Sequence, residues 1–501
     1  MTENKLILLN KLSRCFEMNS NDWDVARMTA ARRLLIIGGS DAGISAGLQA
    51  KSLDPELEVR LLLADEFPNL SICGLPYAIG GEVTQWQSLA HRQLSDLEAT
   101  GIIFEMSTIA DKIDPIKQQV FATTTRGRRR VFDYDELIVA TGARPRLAEL
   151  TNLDLSQLAQ PHSRVHVLHT MADYFGLAHQ LQNLSLTRVA IVGAGYIGLE
   201  MAEALARRNL QVTIFQRGTE VLSTVTADFG QLVHQQLLEH QIEVVTHRTV
   251  RRVDEHIDGV RLETVDENAV SSVSTQRRVF DLVLIVVGVE PNSELLKNAG
   301  ATIGQAGAVK VDEYMQTTLP HVFAAGDLVE TRHHLLGMTY LPLGTTAHKQ
   351  GRVAGTNAAG FQRTFKGVVG TQVVKIFNSV IARTGLLPEQ ARHAGFEPLV
   401  ITTDADDHKA YLPGAQPIKI QIVGDRVTGR LLGATLFGRY GSEVAKRNDI
   451  FAVAIAQNLT VAEISDLDLS YSPPVGSPWD AIQIATQNWE RAQRIQSSHH
   501  D

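Results

Sequence analysis

"TRVAIVGAGYIGLEMAEALARRN", residues 187–209, runs as a short apolar strand, a glycine turn and a small-residue helix. That order has a specific physical use. Gly193 permits the tight bend, Gly195 lets backbone approach a pyrophosphate, and Gly198 lets helix pack on strand, while the N-terminus of the helix beginning near Tyr196 and Ile197 favours negative charge. The same order stands upstream in "RRLLIIGGSDAGISAGLQAKS", residues 32–52, with Gly38 and Gly43 in place and Ser40 where the middle glycine belongs. Two nucleotide-sized units are therefore expected, and with them an α/β fold.

The rest of the chain bounds what those units serve. At 501 residues, 44% hydrophobic and 20% charged, it is long enough for two or three domains with ordinary cores. A net charge of -8 offers no general attraction to nucleic acid or to an anionic membrane surface. The longest apolar runs are strand-length, so no spanning helix is expected. Residues 1–31, with "KLILLNKLSRCFEM" broken by Lys11 and Arg14, read as an extension rather than a signal peptide. Two cysteines, Cys15 and Cys73, make no disulfide framework, which fits a reducing cytoplasm. No metal site is expected.

Two more glycine stretches follow apolar strands: "YDELIVATGARPR" (134–146) and "HVFAAGDLVE" (321–330) each set a polar residue, Thr141 or Asp327, beside a glycine. With the opening turn they resemble the FAD-binding elements of the pyridine nucleotide-disulfide oxidoreductases, and "FDLVLIVVGVEPN" (280–292) resembles the closing strand of that family's NAD(P) domain. The resemblance implies two Rossmann-like domains and a C-terminal α+β dimerisation domain, hence a homodimer. The expected division is a FAD domain at 32–159 and 286–360, an NAD(P) domain at 160–285, a dimerisation domain at 361–485 and a tail at 486–501. By the same resemblance Gly38, Gly39, Gly43, Thr141, Gly142, Arg144, Gly326 and Asp327 hold FAD. "LPLGTTAHKQGRVAG" (341–355) resembles the helix under the flavin's pyrimidine end, adding Thr345, Thr346 and Ala347. In "EVRLLLADE" (58–66) the family's ribose glutamate position is Leu63, leaving Asp65 as the candidate.

"PNLSICGLPYAIGG" (68–81) carries one cysteine where dithiol members carry two. It is similar to the single-cysteine branch, the coenzyme A disulfide reductases, NADH oxidases and NADH peroxidases. A cysteine at a helix N-terminus is expected to have its thiolate favoured by the dipole, and thiolate is the form that attacks disulfides or peroxides. Glu200 is expected beside flavin and nicotinamide. The C-terminal stretches 370–386, 411–423 and 429–438 alternate like an antiparallel sheet. There Tyr471 matches a tyrosine of the coenzyme A disulfide reductases and Tyr411 a second, in place of the His-Glu pair of the dithiol enzymes.

"VTIFQRGTEVL" (212–222) ends its strand on Gln216 and Arg217 instead of a carboxylate, so NADPH is expected as donor, with NADH the alternative. Gly288 completes the nucleotide set. For the acceptor, Ser45, Gln49 and His348 occupy the substrate-binding places of the coenzyme A disulfide reductases. Ser52 replaces a basic residue there, which sets phosphate recognition in question. The loop histidine of the peroxidases and oxidases is Asp41 here. The resulting expectation is an NADPH-dependent reductase of coenzyme A disulfide or another small disulfide or polysulfide. The alternatives are an NAD(P)H oxidase or peroxidase working through a sulfenic acid, or a flavoprotein whose nucleotide-dependent conformation serves partner binding.

Overall fold

The structure is a computed structural model describing residues 32–147, 150, 152–158, 160, 162–183, 185–267 and 275–497. The 1–31 extension and Cys15 lie outside the described residues.

Both glycine turns sit at the centre of parallel sheets. In the first sheet the strands run in the order Val322–Ala324, Glu136–Val139, Arg33–Ile37, Glu58–Leu62 and Ile102–Glu105, all parallel. In the second the order is Glu243–Val245, Gln211–Phe215, Arg188–Val192, Leu282–Ile285 and Val165–His166, again parallel. Leu34, Leu35, Ile36 and Ile37 are all buried, as are Val189 to Val192, because both faces of each sheet are covered and leave no polar side. Helices pack on one face, while the other carries a three-stranded antiparallel sheet, Thr108–Asp114, Gln119–Thr124 and Arg129–Asp133 on the first and Arg248–His256, Gly259–Asp266 and Thr275–Phe280 on the second. Gly38 and Gly193 take nearly the same left-handed turn, φ 108° and 107°. A Cβ on Gly43 or Gly198 would strike the carbonyl of Gly38 or Gly193, so helix rests directly on turn. These two sheets and their helices form the mixed α/β body anticipated from the sequence.

Against the first helix, Asp41–Leu53, lies the long helix Gly344–Ala358. Their backbones touch: a Cβ at Gly351 would strike the Ala42 carbonyl, and one at Gly355 the Ala46 carbonyl. This close approach decides what the exposed edges of the two helices can share.

The third unit is an antiparallel sheet ordered Gln372–Ile376, Ser379–Gly385, Leu431–Arg439, Pro417–Asp425 and Pro398–Asp406. The Pro398–Asp406 strand was not anticipated, and the strand expected from 411 begins only at Pro417, leaving Tyr411 in the preceding loop. The expected tail from 486 is instead the body of a helix, Ala481–Ser497. Trp489 is fully buried over Gly424 and donates its indole N–H to the Leu399 carbonyl at 2.8 Å. The boundary expected at 160 also shifts: Leu150 and Leu158 pack with Val165, Val192 and Ile285 in the second unit's core. Among the described residues no helix is long and apolar enough to cross a membrane.

Candidate active site

Cys73 is the free cysteine of the described residues and is exposed. It sits in the single 3-10 turn Ile72–Gly74, which feeds the five-residue helix Leu75–Ile79. Backbone bonds fix the segment: Asn69 N–H donates to the Gly39 carbonyl at 3.0 Å and Ser71 N–H to the Leu89 carbonyl at 2.9 Å. Leu75 and Ile79 are buried, and a Cβ at Gly80 would stand only 3.1 to 3.2 Å from Ala204 on the helix Tyr196–Arg207, so glycine there lets the two helices pack closely. The thiol therefore stands where the first unit meets the second.

Glu200 comes from that second helix. The Tyr77 hydroxyl, one turn beyond Cys73, donates to its carboxylate at 3.2 Å. Burial pushes the Glu200 carboxyl up to about 7; Tyr77 opposes the shift, Glu203 adds to it and Lys375 opposes it. Behind this pair Glu203 is held by Lys375 at 2.6 Å and by the Phe377 N–H at 2.7 Å, which ties the second unit to the third.

On the other side lies the first glycine loop. Asp41 faces His348 Nε2 at 3.3 Å, and His348 Nδ1 meets Ser45 Oγ at 2.8 Å. His91 stands edge-on to His348, with ring centroids 6.5 Å apart. One turn further along both helices, Arg352 Nε donates to Gln49 Oε1 at 3.1 Å. The three substrate candidates Ser45, Gln49 and His348 thus fall in one row, joined by Arg352, which the sequence reading missed.

The expected thiolate-favouring dipole is not what surrounds Cys73. Burial among its neighbours pushes the thiol up from its ordinary value, and the carboxylates of Asp41, Glu200 and Asp327 push the same way. A 3-10 turn and a five-residue helix carry little dipole against three carboxylates. The exposed residue remains open to approach while its proton is held first by burial and then by this chain's own charges.

The residues fit the two nucleotides that the glycine patterns imply. Burial, with Asp41 nearby, pushes the Asp327 carboxyl up to about 6, leaving an acceptor at the end of the Val322–Ala324 strand. Gly326 beside it is left-handed, φ 91°, and gives its N–H to Gln350 Oε1 at 2.9 Å. Gly142, Gly195 and Gly288 have open space where a Cβ would stand, which is room for a ligand's approach. Thr346 and Ala347 are buried in the first turn of the long helix, whereas Thr345 is exposed. Thr141 Oγ1 donates to the Asn292 carbonyl at 2.8 Å. Arg144 is engaged by Glu290 at 2.7 Å and Glu294 at 2.8 Å, so its charge is answered within the protein. Leu63 packs on Gly39, while Asp65 is exposed and caps the Phe67 N–H at 2.9 Å. In the second unit the Gln216 amide bonds the Glu220 carbonyl at 3.1 Å, and Arg217 is exposed with no ion-pair partner among the described residues. The Tyr196 hydroxyl reaches Gln372 at 2.8 Å, Ile197 is exposed, and Gly198 seats the helix.

Tyr411 and Tyr471 do not join this cluster by any hydrogen bond among the described residues; they are 71% and 47% exposed on the third unit. Their loops are bound to each other. Lys409 N–H donates to the Pro473 carbonyl at 3.3 Å. Buried Arg447 gripping the Asp480 carboxylate at 2.9 Å also donates to the Asp407 carbonyl at 2.7 Å.

Two dinucleotide-type units sharing an exposed thiol at their junction, with a third antiparallel unit attached, define a redox protein that works on two nucleotides. The chain belongs to the pyridine nucleotide-disulphide oxidoreductase family, which it matches over residues 32–351, with the family's dimerisation domain over residues 371–481. It is 30% identical over 456 residues to the NAD(P)H coenzyme A polysulfide/persulfide reductase of Pyrococcus horikoshii, spanning 90% of this chain and 97% of that one. It is 28% identical over 462 residues to an NADH oxidase of Methanocaldococcus jannaschii, spanning 91% and 98%. The solved structure of reduced Bacillus anthracis CoADR-RHD superposes with a TM-score of 0.86 at 28% identity, spanning 93% of this chain and 81% of that one. FAD and NAD(P)H are the cofactors this family implies.

Proposed function

We propose that the protein is an NADPH-dependent reductase of a low-molecular-weight disulfide or polysulfide, coenzyme A disulfide foremost, with Cys73 as the sulfur that exchanges with substrate. The observation that carries this reading is the exposed Cys73 set between the Tyr77–Glu200 pair and the Asp41–His348–Ser45 row. The Cys73 thiolate attacks one sulfur of the substrate, forming a mixed disulfide and releasing the other half as a thiolate that takes up a proton. Two electrons from NADPH then split the mixed disulfide, returning Cys73 as thiolate and releasing the second half, so that one NADPH, one proton and one disulfide give NADP and two thiols. FAD, when bound, supplies the two-electron relay between nicotinamide and sulfur. His348, hydrogen-bonded and solvent-facing, is the group on this side that can hand a proton to a departing thiolate.

Arg217, exposed and unanswered by a carboxylate, supports NADPH over NADH. The dimerisation domain supports a homodimer in which the exposed Tyr411 and Tyr471 face the partner's thiol site. The absence of any spanning helix among the described residues is in keeping with a cytoplasmic location. The oxidase or peroxidase reading has its own support in the NADH oxidase relative. Following NADPH oxidation anaerobically with coenzyme A disulfide, under air, and with peroxide separates them. Turnover confined to the disulfide is expected, and turnover confined to oxygen or peroxide would overturn the reading.

A further inference from the structure

The helices Asp41–Leu53 and Gly344–Ala358 meet backbone to backbone at Gly351 and Gly355, which brings their exposed edges into register. Ser45 pairs with His348 and, one turn on, Gln49 pairs with Arg352. The His348 end of the row is answered by a carboxylate, Asp41 at 3.3 Å. The Arg352 end is not: Arg352 is exposed, its guanidinium donates to a neutral amide at 3.1 Å, and it has no ion-pair partner among the described residues. Lys51, the cation on the facing helix, is spent on the Pro55 and Leu57 carbonyls at 2.6 and 3.0 Å. A cation from a different helix thus stands at Gln49, three residues before Ser52 on the first helix.

We infer that Arg352, steadied by Gln49, is an anion-recognition subsite for a phosphate group carried at the far end of the thiol substrate. The inference rests on the reading of Cys73 as the sulfur that exchanges with substrate. Distance supplies the class of ligand. The segment that carries Cys73 is bonded to the first glycine loop, Asn69 N–H to the Gly39 carbonyl at 3.0 Å, and from Asp41 at the start of the helix that follows this loop to Gln49 is eight residues, about 12 Å along its axis. The subsite thus suits a long thiol whose phosphate lies many bonds from its sulfur, and gives nothing extra to a short neutral disulfide. A guanidinium that keeps free donors beside an amide acceptor is suited to bidentate phosphate contact.

The test is calorimetric binding of coenzyme A and of pantetheine, which has the thiol arm without a phosphate, to the FAD-loaded enzyme. Saturating NADP keeps the Arg217 site filled. Arg352→Gln is expected to weaken coenzyme A about ten- to hundredfold and pantetheine less than twofold, with Arg352→Lys between them. The coenzyme A affinity of the parent should also fall more steeply with salt than that of Arg352→Gln. Equal weakening of both ligands, no weakening, or a parent that binds coenzyme A no better than pantetheine would overturn the inference. Arg352-dependent coenzyme A binding in an enzyme that reduces no disulfide would sustain the subsite and overturn the disulfide-reductase reading instead.

Discussion

The hydroxyl of Tyr77 donates to the carboxylate of Glu200 across 3.2 Å, joining the helix that follows Cys73 to the helix that opens the second glycine turn. Through this bond a group from each dinucleotide unit lies behind one sulfur.

Glu200 has a stability consequence with a definite sign. Its folded value, about 7, lies above the ordinary 4.5, so the fold favours the protonated carboxyl. Stability from this group is complete below about pH 4.5 and is lost as pH rises through about 7. Glu200→Gln should therefore match the parent at acid pH and exceed it above neutrality, by on the order of 1 to 3 kcal/mol. Denaturant midpoints across that range check it. A constant offset at every pH would show that Glu200 ionises normally.

Asp41 acts on the thiol through its charge. Because the carboxylate helps hold the Cys73 proton, Asp41→Asn should move the alkylation-rate profile of Cys73 toward lower pH. Iodoacetamide kinetics read this directly, and an unmoved profile would remove Asp41 from the sulfur's surroundings.

Cys73→Ser should keep bound FAD and still let NADPH bleach its visible absorbance, since neither event uses the thiol. Disulfide turnover should fall by about a thousandfold or more in kcat, because serine presents no accessible anion at neutral pH and forms no mixed disulfide. Wild-type turnover in the variant would reduce Cys73 to packing.

Arg217→Glu should raise KM for NADPH about ten- to hundredfold while changing KM for NADH little, as it sets a carboxylate against the 2'-phosphate. Steady-state kinetics with both nucleotides decide it, and equal effects on the two would place Arg217 away from the phosphate.

The backbone of the site was legible because glycine turns leave residue-type marks. Gly38 and Gly193 are recognisable directly after the apolar runs Leu34–Ile37 and Val189–Val192, and the structure gives both the same left-handed turn. Cys73, Glu200 and the Ser45, Gln49 and His348 set were singled out by their places in the family resemblance. Their partnerships were not, since Tyr77 and Glu200 are separated by 123 residues and Gln49 and Arg352 by 303. No local periodicity encodes such pairs. The sign of the influence on Cys73 was misjudged for the same reason: the dipole is a neighbour in sequence, whereas the burial of the thiol and the approach of Asp41, Glu200 and Asp327 arise only in the folded chain. The terminal helix was read as tail because its apolar face is sparse; its seat on the sheet rests on Trp489.

Gly351 and Gly355 lie directly on the carbonyls of Ala42 and Ala46. Main chain against main chain leaves no rotamer between the helices to flex, so the spacing of the two rungs beside them works as a fixed gauge. Specificity along this row is then tuned by exchanging the residues on its rim, while a single methyl group added at either glycine would spring the whole row apart at once.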